Sequence, residues 1–80
     1  MAFAKTEKEW AERAARHLKA ELKRADLTYE ELADRLKKHG FKDETKASIA
    51  NKLARGTFSA TFFLASLAAM GSATVEIESL

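Results

Sequence analysis

The chain has no cysteine and no proline, and only three of its 80 residues are glycine. Without cysteine, disulfide staples and thiolate metal sites are excluded, and a reducing compartment is compatible with the composition. His17 and His39 lie far apart and form no metal-ligand pattern, so neither metal nor cofactor is expected. No serine sits in a nucleophile motif and no glycine-rich loop is present to cradle phosphate. With so little loop-forming sequence, an enzyme is not expected. The opening MAFAKTEKEW lacks the apolar run of a secretory signal, which makes the expected location cytoplasmic.

Residues 56–75 carry no charge, but Gly56, Thr57, Ser59, Thr61, Ser66, Gly71, Ser72 and Thr74 interrupt them. A membrane span needs about 20 predominantly apolar residues. The dense apolar part runs only from Phe62 to Met70, which fits a buried helix and no membrane partner. A chain of this length forms one domain and buries only about 60–65% of its unfolded surface, leaving a small core.

Four helices are expected. Thr6 and Glu9 make a capping box before an apolar stripe of Trp10, Ala11, Ala14, Ala15, Leu18, Leu22 and Ala25. On other faces Glu12 with Arg16, and Lys19 with Lys23, read as solvated charges. Thr28 and Glu31 form a second box, with Leu27 stapled on Leu32 and Leu36 facing inward; Gly40 is the stop. The third helix takes its cap from Asp43, Glu44 or Thr45, with Asp43 favoured, and Gly56 closes it. Ser59 caps the fourth, Phe58 staples onto Phe63, and Gly71 ends it. Apolar residues on every side of that helix place it in the core or against a second subunit.

The tail, residues 73–80, alternates Val75 and Ile77 with Glu76 and Glu78, a β-like pattern with no partner strand elsewhere. It is either irregular or paired with its copy in a dimer. Val75, Ile77, Phe62 and Met70 are the candidate dimer-interface residues.

Charge is distributed unevenly. Residues 35–55 hold seven basic side chains (Arg35, Lys37, Lys38, Lys42, Lys46, Lys52, Arg55) against Asp43 and Glu44, a net +5. Residues 1–34 hold seven basic and eight acidic, for −1, and residues 56–80 only Glu76 and Glu78, for −2. Positive charge thus gathers around the third helix, as on a surface that meets phosphates. On a helical wheel Ser48, Asn51 and Arg55 share the stripe opposite Ile49 and Leu53, with Lys52 beside it.

Leu27–Leu36, then Ser48–Gly56, then a capped apolar helix ending in Gly71, resemble the helix-turn-helix of Xre and lambda-repressor-like regulators. More closely, NKLARGTFSATFFLASLAAMG over residues 51–71 is similar to small bacterial proteins known only as a domain of unknown function. The first resemblance implies an all-α, four-helix, lambda-repressor-like bundle with its helix-turn-helix unit at 27–56. It also implies a transcriptional regulator that binds double-stranded DNA as a homodimer. Ser48, Asn51, Lys52 and Arg55 would then meet bases or phosphates, and Lys37, Lys38, Lys42 and Lys46 the backbone. The chain departs from that pattern between helices two and three. Twelve residues separate Leu36 from Ile49 where about six are usual, so the second helix is expected to run one turn further into a longer turn, and Asp43 and Glu44 fall at the start of the reading helix. The alternative is a protein–protein interaction module that keeps this architecture without reading DNA.

Overall fold

A computed structural model describes residues 3–80. It contains α1 (Glu7–Arg24), α2 (Tyr29–Lys37), α3 (Lys46–Arg55) and α4 (Ala60–Ala69), followed by a short 3-10 turn, Ile77–Ser79. The all-α architecture agrees with the sequence reading, and among the described residues there is no strand. Helices α1 and α2 each pack on both α3 and α4. The core at their meeting is Leu18 and Leu22 from α1, Leu32 and Leu36 from α2, Ile49 and Leu53 from α3, and Phe62 and Leu67 from α4.

Capping side chains start every one of these helices. Thr28 Oγ1 accepts from the Glu31 N–H at 3.1 Å, while the Glu31 carboxylate accepts from the Thr28 N–H at 2.9 Å, completing the expected box. At α1 the box is only half formed. Thr6 accepts from Glu9, but the Glu9 carboxylate turns to the Lys5 N–H instead. The cap of α3 is Thr45 rather than Asp43. Its hydroxyl accepts from the Ser48 N–H at 3.1 Å, and Ser48 Oγ accepts from the Thr45 N–H at 2.8 Å. Ser59 caps α4, and the Phe58 and Phe63 rings stack at 6.2 Å as the expected staple.

The stops are equally local. After α2 the Phe41 N–H reaches the Leu36 carbonyl at 3.0 Å around a left-handed Gly40, the Schellman pattern. The same pattern ends α1, where Leu27 N–H bonds to the Leu22 carbonyl. There the left-handed residue is Asp26, at φ +57°. Residues 38–40 form a turn, so the long connection is not spent on an extra turn of α2.

One expectation about packing needs correction. Trp10 lies at the margin of the apolar stripe, 38% exposed and stacked on Phe3 at 6.3 Å. The tail is irregular before the 3-10 turn, the first of its two expected outcomes: Val75 packs against the core, and Ser79 and Leu80 lie beside Arg13, His17 and Ala20 of α1. The hydrophobic side chain of Val75 thereby finds cover within its own chain.

Candidate nucleic-acid interface

The face of α3 turned away from the core is short-chained. Ala47, Asn51, Ala54 and Arg55 are exposed along it, while Ile49 and Leu53 anchor the opposite side in the core; Lys46, the first residue of α3, is exposed at its start. Alanines at 47 and 54 leave the backbone approachable, and an alanine methyl is a suitable contact for a thymine methyl. The sequence reading passed over both, because an exposed alanine carries no charge or hydrogen-bonding signal. Asn51 stands between them and is exposed.

Ser48 and Lys52 do not join that face. Both turn toward Glu44, whose residue is only 8% exposed. Ser48 Oγ donates to Glu44 Oε1 at 2.7 Å, and Lys52 Nζ is ion-paired and hydrogen-bonded to Glu44 Oε2. Lys52 Nζ also lies 4.6 Å from the centroid of the Phe62 ring, a cation–π contact. With its donor committed to Glu44 and its acceptor to the Thr45 N–H, the Ser48 hydroxyl is satisfied within the fold. Ser48 and Lys52, expected as outward contacts, are thus both engaged within the fold. They neutralise a carboxylate that would otherwise oppose phosphates at the start of α3. Sequence spacing carries the signal for this cluster: Glu44, Ser48 and Lys52 recur every fourth residue.

The cationic cluster also divides. Arg35 Nη1 donates to the Ala69 carbonyl at 3.0 Å, tying α2 to the C-terminal end of α4. Lys37 pairs with Asp34 at 3.4 Å, and Arg55 Nε donates to Thr57 Oγ1 at 3.3 Å. Lys38, Lys42 and Lys46 are exposed, and among the described residues their side chains have no hydrogen bond or ion pair. Lys38 caps the end of α2, Lys42 lies in the connection and Lys46 opens α3, so three such ammonium groups occur along the chain that leads into α3.

The candidate dimer residues separate as well. Phe62 is 1% and Met70 4% exposed, both within the core, so neither can meet a second subunit without opening the fold. Ile77 is 52% exposed, and Leu64, passed over as a contact, is 64% exposed. Leu64 borders a trough of about 390 Å³ shared with Ala68 and Val75.

A family model described as a domain of unknown function (DUF6471) matches residues 10–75, from Trp10 in α1 to Val75 beyond α4. The chain belongs to this family. No curated protein and no solved structure matches the chain. The matched span of the DUF6471 domain contains all of α2, α3 and α4 and thus the whole exposed α3 face. Among the described residues of this DUF6471 member, no group of three or more His, Asp or Glu side chains is placed to hold a metal ion. Nor is any helix there long and apolar enough to cross a membrane.

Proposed function

We propose that this DUF6471 domain binds double-stranded DNA through the exposed face of α3, as a helix-turn-helix-like module of the Xre and lambda-repressor kind in a small regulator. The observation that carries this reading is the juxtaposition on α3. A close-approach face of Ala47, Asn51 and Ala54 lies between unpaired Lys42 and Lys46 at one end and Arg55 at the other. Asn51 has the donor and acceptor needed for a bidentate contact to adenine, and Arg55 can reach guanine or phosphate. Internal neutralisation of Glu44 removes much of the electrostatic objection to acids at the start of the helix.

A single domain of this size has few phosphate contacts, and non-specific affinities lie at about 10⁻⁴–10⁻⁶ M at physiological salt. Site specificity then calls for a homodimer, for which Leu64 and Ile77 are the accessible apolar side chains.

Fluorescence anisotropy with a labelled mixed-sequence duplex tests the reading. The logarithm of the binding constant should fall linearly with that of salt concentration. Lys42→Gln with Lys46→Gln should reduce the slope by about 1.8, at roughly 0.9 per phosphate contact. A folded protein that fails to bind at low salt would remove the proposal. The exposed Leu64 trough favours the protein-interaction alternative, in which Leu64→Ser abolishes association with a partner and the lysine pair has no effect.

A further inference from the structure

The sequence reading left Arg16 and Lys19 as ordinary solvated charges on α1. In the folded protein they line a groove of about 370 Å³ between α1 and the C-terminal end of α3, together with Arg55. Its floor includes Ala15 and Leu53, 5% and 2% exposed, so the cations stand over a low-dielectric wall that concentrates their field. Among the described residues neither the Arg16 nor the Lys19 side chain has a hydrogen bond or ion pair. Glu12 is the one carboxylate in the lining. Three cations against Glu12 and about half a negative charge at the α3 C-terminus leave roughly +1.5.

We propose that this groove binds the phosphodiester backbone of nucleic acid, with Arg16, Lys19 and Arg55 as its contacts. The assignment rests on the duplex-binding reading and adds α1 to it. Lys46 and Arg55 bracket α3, and nine residue rises of about 1.5 Å separate them by roughly 14 Å. The major groove is about 12 Å wide. A helix seated there would thus have cations at both ends, Lys42 and Lys46 toward one strand and the α1–α3 groove toward the other. Gly56, left-handed at φ +71°, ends α3 where a Cβ would meet the Ala11 carbonyl oxygen at 3.5 Å. That is ordinary van der Waals distance, so α1 packs directly against the end of α3.

The test compares wild type, Arg16→Gln/Lys19→Gln, and the charge-matched control Lys5→Gln/Lys8→Gln, which lies outside the groove lining. Each is checked for helical content and titrated into a labelled mixed-sequence duplex over a salt series. The groove variant should lose about 1.8 from the slope of log K against log salt. The control should retain the wild-type slope. Equal losses in the two variants, or no loss in the groove variant while wild type binds, would overturn the groove and leave the α3 reading intact. Absence of wild-type binding would overturn both. Exchanging chloride for inorganic phosphate at matched ionic strength should leave the wild-type curve in place; displacement would mark a small-anion site and also overturn the assignment.

Discussion

Replacing Glu44 by alanine probes the cluster that holds the start of α3. The substitution deletes the hydrogen bond from Ser48 at 2.7 Å and strands Lys52, whose side chain is only 27% exposed. A hydrogen bond to a charged group contributes about 1.5–3 kcal/mol. Breaking a fully buried ion pair costs about 3–5 kcal/mol, whereas an exposed pair contributes about 0–1. Lys52 lies between these limits, since its ammonium can move toward water once released. The Phe62 ring remains available as a partial partner. Together these place the loss near ~2 kcal/mol, a substantial fraction of the roughly 4–12 kcal/mol stability of an 80-residue domain. Thermal unfolding followed by far-ultraviolet circular dichroism should show Tm lowered by about 8–16 °C. A cycle with Glu44→Gln and Lys52→Met, which keeps an unbranched side chain but removes the charge, should give a coupling of about 1–2 kcal/mol. Additivity within about 0.5 kcal/mol would refute the interaction.

Other perturbations test the frame around that cluster. Asp26→Gly should raise stability by about 0.5–1 kcal/mol in urea unfolding, because an L side chain at φ +57° is strained and glycine is not. Thr28→Ala, which removes the cap of α2, should cost about 1 kcal/mol by the same measurement. Phe62→Ala should cost about 3–5 kcal/mol and unfold much of the protein, not produce a folded monomer, because Phe62 fills the core. The Arg24 hydrogen bond holds the Glu21 carboxyl below its ordinary range, and the Thr28 N–H does the same for Glu31. Both carboxylates therefore bind protons less readily when folded. Their stabilisation is present above the ordinary glutamate pKa of about 4.3 and is lost as pH falls through the lower folded values. Unfolding midpoints should decline below about pH 4.5, and Glu31→Gln should flatten that decline.

Most of the fold was legible because its decisive signals are local. Thr28 with Glu31, Phe58 with Phe63, and the glycines at 40, 56 and 71 announce starts and stops within a few residues. The α3 cap was displaced from Asp43 to Thr45 because several capping residues stand side by side there, and backbone geometry selects among them. The tail left two outcomes open for a different reason. Alternation over Val75–Glu78 is short, and Val75 gains cover from its own core instead of a second strand. The site was less legible than the fold. Summed charge over residues 35–55 does not reveal that Arg35, Lys37, Lys52 and Arg55 have intramolecular partners. Nor does a helical wheel drawn for α3 alone include Arg16 and Lys19, which come to its end only through tertiary packing.

The central claim concerns which face meets the duplex, and a ¹H–¹⁵N NMR titration with mixed-sequence DNA at low salt reads it residue by residue. Amide shifts should concentrate at Lys42, Lys46, Ala47, Asn51, Ala54 and Arg55, with the core amides of α2 and α4 unmoved. Absence of shifts in the folded protein, or shifts confined to Leu64, Ala68 and Val75, would contradict the assignment of α3 as the reading helix.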